Sequence, residues 1–264
     1  MTLSQLLGKS SGIRMMHRVS SPAPFSRSHC LRRLMAFLPL ALIAVNGPSL
    51  RAQVITSTWI GSVLTASGNW TDSLFWLPPP QTGYNVTINN ILLLPAAVNL
   101  DVDATVNQLS LGPGAQLNIT NGYKLQLNAS STINGTLLLS STGSATELRA
   151  GSPSVTLAGA GSIVMSANAA NHIRGGSSNG FINQLTISGS GTIGDGQMNF
   201  TNQGAILANN ASVPLMLHPN ANGMTNTGTI RNAVLTVTGD STNAGTISLT
   251  TAGFVTTSAA LAVT

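Results

Sequence analysis

From about residue 53 onward, apolar side chains recur in pairs that stand two residues apart, with Thr, Ser, Asn and Gly between them. The pairs are Leu109/Leu111, Leu117/Ile119, Leu125/Leu127, Leu137/Leu139, Val155/Leu157, Leu185/Ile187, Leu215/Leu217, Leu235/Val237 and Ile247/Leu249. Because successive side chains of a strand point to opposite faces, each pair predicts a short strand with one buried face. The spacing of three and four residues that is typical of helices is not sustained anywhere in this part.

Turn-forming sequences separate the predicted strands, and longer motifs repeat. The segment from Val155 to Ile163 matches the segment from Leu185 to Ile193, thirty residues later. An Asn-x-Gly-x-Ile motif begins at Asn202, Asn226 and Asn243. A shorter version of it is Asn134-Gly135-Thr136-Leu137. Repeats of about 20–50 residues are typical of solenoids and propellers.

These patterns predict an all-β fold, a right-handed parallel β-helix in which each coil carries two or three short strands and stacks on the next coil. We expect asparagines beside the turn glycines to form side-chain ladders at the bends. The alternative is a β-sandwich of longer strands, whose turns would fall about every 8–12 residues. The variable repeat length and the short strands favour the β-helix.

The chain divides into a leader (residues 1–52), a Trp-rich N-terminal cap (53–90) and β-helical repeats (91–264). In the leader, Arg32-Arg33 precedes an apolar run and a region of small residues that ends at Ala52, which is the order found in secretory signal peptides. The apolar run is shorter than the roughly 20 residues that a membrane-spanning helix needs, although a membrane anchor is the alternative. We expect cleavage between Ala52 and Gln53, export to the cell surface or the medium, and no membrane span in the mature chain.

Charge is distributed unevenly along the chain. Seven of the eleven basic residues lie in the first 51 positions, so the part from Gln53 onward has four basic and six acidic residues, a formal charge of −2. The basic excess therefore belongs to the leader, and we expect no nucleic-acid partner. The one cysteine, Cys30, also lies in the leader, which excludes disulfide and thiolate chemistry from the mature chain.

All three tryptophans, Trp59, Trp70 and Trp76, lie within 18 residues at the start of the predicted solenoid. Their simplest interpretation is a cap that covers the open end of the hydrophobic core. Because flat aromatic faces can also stack on sugars, ligand contact by these three residues is the alternative prediction.

The series Trp59, Asn69-Trp70, Trp76, Pro78 to Pro80, Gly83, Val86 and Ile88 resembles the opening of repeat modules in large exported bacterial proteins with autotransporter- or haemagglutinin-like β-helical repeats. The segment from Val98 to Leu111 is similar to those repeats as well. The resemblance covers most of the mature chain and implies surface display or secretion, with adhesion as a role. Such proteins usually carry a C-terminal translocator or anchor, and none can be read up to Thr264, so we expect a fragment of a longer protein or a truncated gene.

Few residues of the mature chain are suited to catalysis. Glycosidases need two carboxylates on one face, and Asp101 and Asp103 could share a strand face, although a solvent-facing edge is the favoured interpretation. Lys124, Arg149 and Arg174 stand singly in the sequence, and isolated His172 and His218 give no zinc-site spacing. Gly194-Asp195-Gly196 resembles a calcium-binding repeat but occurs once.

The sequence therefore predicts a non-enzymatic exported protein, adhesion-like or structural, that holds neither cofactor nor metal. Its expected partners are extracellular polysaccharide or cell-surface components. The alternative is a carbohydrate-binding module or a polysaccharide-active enzyme built on the same β-helix.

Overall fold

The computed structural model describes residues 53–61, 66–91, 94–237, 241–248, 255–257 and 261–263. The predicted leader and the residue before its expected cleavage site, Ala52, lie outside the described residues. The described part confirms the all-β prediction: short parallel strands stack as a right-handed parallel β-helix, with three sheets as its walls. The β-sandwich alternative is wrong, because the sheets are built of parallel strands from successive coils.

The chain visits the three sheets in turn, and each complete coil contributes one strand to each sheet. The first sheet contains β1 (Thr56–Trp59), β3 (Trp76–Leu77), β4 (Asn85–Ile88), β7 (Leu109–Leu111), β10 (Ser131–Ile133), β13 (Val155–Ala158), β16 (Gly180–Asn183), β19 (Asn199–Asn202), β22 (Met224–Asn226), β25 (Ser241–Asn243) and β28 (Leu261–Val263). Its pairs are parallel except for β1 with β3, which are antiparallel.

The second and third sheets contain parallel pairs throughout their described strands. The second sheet contains β2 (Ser67–Asn69), β5 (Ala97–Leu100), β8 (Gln116–Thr120), β11 (Thr136–Ser140), β14 (Ser162–Met165), β17 (Thr186–Ser188), β20 (Ala205–Leu207), β23 (Thr229–Arg231) and β26 (Thr246–Ser248). The third sheet contains β6 (Ala104–Val106), β9 (Lys124–Leu127), β12 (Thr146–Ala150), β15 (Asn171–Gly175), β18 (Gly191–Ile193), β21 (Leu215–Leu217), β24 (Val234–Val237) and β27 (Val255–Thr257). The one helical segment in the described residues is a single 3-10 turn, Ser73–Phe75.

The apolar pairs point into the solenoid and stack from coil to coil. In the second sheet one such column is fully buried and in register, and it consists of Val98, Leu117, Leu137, Ile163, Ile187, Ile206 and Ile230. Burial of an aliphatic side chain of this size stabilises the fold by about 1.5–3 kcal/mol. Because a coil alone leaves this face open to water, the stacking itself forms the core.

An asparagine ladder runs along the end of the first sheet. The side-chain amide of Asn183 donates to Oδ1 of Asn202 at 2.8 Å, that of Asn202 donates to Asn226 at 2.7 Å, and that of Asn226 donates to Asn243 at 2.6 Å. All four side chains are buried. The ladder confirms the expected stacking of asparagines, although Asn134 lies outside it and accepts a hydrogen bond from the backbone amide of Ala160 instead.

The glycine of the repeated motif permits close approach of successive coils. A Cβ atom on Gly228 would stand 2.0 Å from the carbonyl oxygen of Gly204, and one on Gly245 would stand 2.1 Å from that of Gly228. Gly135 and Gly161 meet in the same way three coils before Gly204 and Gly228. The motif therefore combines a buried amide, a point of backbone contact and an apolar residue facing the core.

The thirty-residue sequence match is not the repeat of the coil. Leu157 lies in β13 of the first sheet and Ile163 lies in the second sheet, whereas the matching Ile187 and Ile193 lie in the second and third sheets. Residues that pair across coils are separated by 17 to 30 positions, as in Thr225 with Thr242 and Ser67 with Ala97, and Val155 itself pairs with Phe181, 26 positions later. The match arises because similar strand–glycine–strand corners occur at two different corners of the solenoid.

Candidate functional site

The three tryptophans form a compact aromatic cluster at the N-terminal end. Trp59, Trp70 and Trp76 are 2%, 6% and 3% exposed. The Trp76 ring meets each of the other two edge to face, with ring centroids 5.0 Å apart. Nε1 of Trp59 donates to the carbonyl of Ala66 at 3.0 Å, and Nε1 of Trp76 donates to that of Trp70 at 2.9 Å. The indole N–H groups of Trp59 and Trp76 therefore have hydrogen-bond partners inside the protein, which buried tryptophans usually need.

This packing leaves little indole surface for a ligand. Trp70 lines a cleft of about 480 Å³ together with Pro79, Pro80 and Val102, but its own ring is largely covered. Residues 53–90 also contribute β1, β2 and β4 to the same sheets as the later coils. Ligand contact by Trp59, Trp70 and Trp76 stays a prediction.

Asp101 and Asp103 do not share a strand face, because both lie in the link between β5 and β6. The carboxylate of Asp101 accepts hydrogen bonds from the backbone amide and the hydroxyl of Thr71, at 3.1 and 2.6 Å. Asp103 pairs with Nζ of Lys124 at 2.7 Å. Each carboxylate is therefore held by its own partner, and the alternative that Asp101 and Asp103 share one strand face is wrong, because neither residue lies in a strand.

The structure brings together charged residues that stand far apart in the sequence. In-register pairing of β12 with β15 sets Glu147 beside His172 and Arg149 beside Arg174 on the outer face of the third sheet. Asp195, just after β18, lies in the next coil. We call Glu147, Arg149, His172, Arg174 and Asp195 the ionic cluster.

Two carboxylates hold the guanidinium groups of this cluster. Glu147, whose side chain is 7% exposed, accepts hydrogen bonds from Nε of Arg149 and from Nη2 of Arg174. Asp195 Oδ2 lies 3.4 Å from Nη1 of Arg174 and 2.9 Å from Nδ1 of His172. These contacts fix the position of each arginine side chain, because planar guanidinium groups match carboxylates in shape and charge.

The carboxylates of the cluster are ionised at neutral pH. Burial by itself would raise the pKa of Glu147, but the hydrogen bonds and charges of Arg149 and Arg174 outweigh it and hold that pKa below its ordinary value. Burial would also raise the pKa of Asp195. The contacts with His172 and Arg174 outweigh that effect, so the pKa of Asp195 is lowered as well. The hydrogen bond from Lys124 lowers the pKa of Asp103. A general acid needs a raised carboxyl pKa, which is the opposite direction.

Beside the ionic cluster lies a polar groove of about 420 Å³, which we call the guanidinium groove. The residues that line it and carry its chemistry are Gln126, Arg149, Arg174, Gly176, Asn179 and Gln197. The first three come from β9, β12 and β15, and strand pairing places Arg149 directly between Gln126 and Arg174. The carboxylates of Glu147 and Asp195 are not among the lining groups, so the groove presents donors to a ligand.

Sequence reasoning missed this grouping, since it treated Arg149 and Arg174 as isolated. A signal was present: Glu147-x-Arg149 and His172-x-Arg174 are similar pairs of ionisable residues that lie one coil apart, at a separation of 25 residues. Recognising this signal requires knowing the length of that coil, which cannot be read from the sequence because the corners vary in length.

Among the described residues, no helix is long and apolar enough to cross a membrane. In the same part of the chain, no group of three or more His, Cys, Asp or Glu side chains is arranged to hold a metal ion. When the chain is compared with protein-family models, curated proteins and solved structures, no family model, curated protein or solved structure matches it.

Proposed function

We propose that the mature chain is a non-catalytic exported protein of the bacterial surface or medium, with an adhesive or structural role. The observation that carries this proposal is a regular polar outer surface on a rigid solenoid. On the first sheet, in-register pairing aligns an outer row of hydroxyl side chains, which are Thr58, Thr87, Ser110 and Thr132. Strands of one sheet are about 4.8 Å apart, so this row presents evenly spaced hydrogen-bonding groups over four successive strands and ends where Thr132 pairs with Ala158.

A group of three hydrogen-bonded polar side chains on the outside of the solenoid supports the same role. On the second sheet, the amide of Asn118 donates to Oδ1 of Asn99 at 3.1 Å, and the hydroxyl of Ser140 donates to Oδ1 of Asn118 at 2.5 Å. Solenoids use extended surfaces of this kind for binding, because neighbouring repeats present equivalent groups side by side. A long chain molecule, such as a polysaccharide, fits a periodic surface better than a compact ligand does.

The state of the charged groups supports a non-catalytic role. Glu147, Asp103 and Asp195 each contact a cationic partner, and the pKa of each is lowered. Carboxylates in this state serve as fixed acceptors that position arginine and lysine, whereas proton transfer to a leaving group requires a carboxyl group that is protonated near the working pH.

Export is tested by expressing the full chain and a variant without residues 1–52 in a bacterial host. With antiserum against the purified protein, we expect the full chain to be detected in the medium or to be digested by protease added to intact cells. The shortened variant is expected to stay protected inside the cytoplasm. Equal protection of both forms would contradict the export proposal.

Catalysis is tested on a panel of neutral and acidic polysaccharides, by measuring new reducing ends and unsaturated products. We expect no depolymerisation by the wild-type chain, but retention of the protein on surfaces coated with some of these polymers. Depolymerisation that disappears in Glu147→Gln or Asp103→Asn, with circular dichroism unchanged, would establish the enzyme alternative instead.

A further inference from the structure

We propose that the guanidinium groove binds the carboxylate of an acidic saccharide, a uronate residue within a longer chain. An acidic saccharide would be one ligand class for the surface function proposed above. The proposal rests on that function in one respect only, because export is what brings the groove into contact with extracellular polymer. Its basis is the geometry of Arg149 and Arg174 on neighbouring coils, which no local sequence motif reveals.

The two arginines retain donors for a ligand. Arg149 uses Nε for Glu147, and its two terminal nitrogens donate no hydrogen bond within the described residues. Arg174 uses its terminal nitrogens for Glu147 and Asp195, whereas its Nε is buried and has no hydrogen-bond partner in the same part of the chain. The terminal nitrogens of Arg149 are therefore the donors that a ligand in the groove can reach directly, whereas the buried Nε of Arg174 would meet a ligand oxygen only after a shift of the side chain.

The guanidinium donors of the groove favour an anionic acceptor, although Glu147 and Asp195 balance the formal charges of the two arginines. The chain from Gln53 onward has four basic residues, and two of them, Arg149 and Arg174, line this one groove. Their side chains are only 35% and 26% exposed, which weakens screening by water. Because the carboxylates that hold them lie outside the lining, an incoming carboxylate meets guanidinium groups and not the negative charges behind them.

The remaining walls select a ligand rich in hydroxyl groups. Gln126, Asn179 and Gln197 provide amide groups that can both donate and accept hydrogen bonds. The lining contains no large apolar residue, so an apolar side chain of a peptide ligand would find no anchoring pocket there. An acidic saccharide combines one carboxylate with several hydroxyl groups, and therefore matches this surface better than an acidic peptide does.

A glycine keeps the groove open. A Cβ atom on Gly176 would meet nothing closer than the side-chain amide of Asn179, at 3.7 Å, so the space beside it is free. The volume of about 420 Å³ falls in the range of about 300–1,000 Å³ that is typical of small-ligand sites. The groove thus accommodates a sugar residue, and a larger side chain at position 176 would fill that space.

The test is calorimetric titration of the purified full chain with trigalacturonate, with the neutral trisaccharide maltotriose and with inorganic sulfate. We expect saturable binding of trigalacturonate, binding of maltotriose that is at least about tenfold weaker, and weak competition by sulfate. Arg149→Gln is expected to lower the affinity for trigalacturonate about tenfold. The matched control Arg231→Gln, an exposed arginine in β23 of the second sheet, is expected to leave it unchanged.

Gly176→Leu provides a second variant that changes no ion pair, in case Arg149→Gln disturbs the fold. It is expected to abolish binding with an unchanged circular dichroism spectrum. Absence of saturable binding at millimolar trigalacturonate, equal binding of maltotriose, displacement by sulfate at equal concentration, or an equal loss in Arg231→Gln would each overturn the proposal.

The failures of the two proposals can be told apart. Failure of the purified chain to bind trigalacturonate leaves the export and adhesion experiments untouched. Shortening of trigalacturonate during the titration would contradict the non-catalytic role but would leave the ligand class of the groove in place.

Discussion

Replacement of Gly161 by alanine is expected to lower the free energy of unfolding by about 3 kcal/mol, which is a large overpacking cost. The added Cβ would stand 2.0 Å from the carbonyl oxygen of Gly135 in the preceding coil, and 2.8 Å from the backbone of Asn134 and Ile133. All three neighbours are backbone atoms, so no flexible side chain can move aside. The measurement is urea unfolding followed by far-ultraviolet circular dichroism.

Gly176→Ala is the matched control for this experiment. Its Cβ would have open space, with one side-chain atom at 3.7 Å, and we expect a change within about 0.5 kcal/mol. If Gly161→Ala were as stable as this control, the close contact between coils that the structure shows at the glycine stack would be wrong.

Replacement of Trp76 by alanine is expected to destabilise the N-terminal end by about 3–5 kcal/mol, the cost of removing a large buried aromatic side chain. The Trp76 ring packs against both Trp59 and Trp70, and its loss would open the cap to water. In a solenoid each coil contacts only its neighbours, so the effect should fall off along the axis. Hydrogen exchange should accelerate in β1 to β5 and stay nearly unchanged in β13 to β18.

Leu74→Ala is the control for the cap, because Leu74 lies two residues before Trp76 in the sequence and is 86% exposed. It should change neither the exchange rates nor the fluorescence of the tryptophans. Uniform acceleration over the whole chain in Trp76→Ala would show that the cap is not a local structure, and no change at all would show that its aromatic packing contributes nothing.

Much of the local architecture could be predicted from the sequence, because it depends on near neighbours along the chain. The pair Leu137/Leu139 marks a strand with one buried face through a spacing of two, and both side chains are fully buried. The asparagine ladder was also predictable, since Asn202 and Asn226 begin copies of one motif and stack directly. The two strand faces and the turn glycines are local properties.

The ionic cluster could not be predicted in this way, because it depends on which residues lie above one another. Arg149 and Arg174 meet because their coil is 25 residues long, whereas Thr225 and Thr242 meet after 17. The coils differ in length because the corners between strands differ in length, and no local sequence pattern indicates how long a given corner is. The same lack of register explains why similar segments at Val155 and Leu185 suggested a repeat that the coils do not follow.

The register between coils is the central claim, since it builds the aliphatic column and gathers the arginines of the groove. Its most direct test is disulfide formation in a full chain that carries Cys30→Ser, which removes the one natural cysteine. Leu138 pairs with Val164, and Val164 pairs with Ser188. Neighbouring strands are about 4.8 Å apart, within the range that a disulfide spans, and strands two coils apart exceed it.

We predict that Leu138→Cys with Val164→Cys forms a disulfide on mild oxidation, detected by mass spectrometry of peptides, and that Leu138→Cys with Ser188→Cys forms none. A crosslink in the second pair but not in the first would contradict the stacked coils on which the fold, the groove and the proposed function all depend.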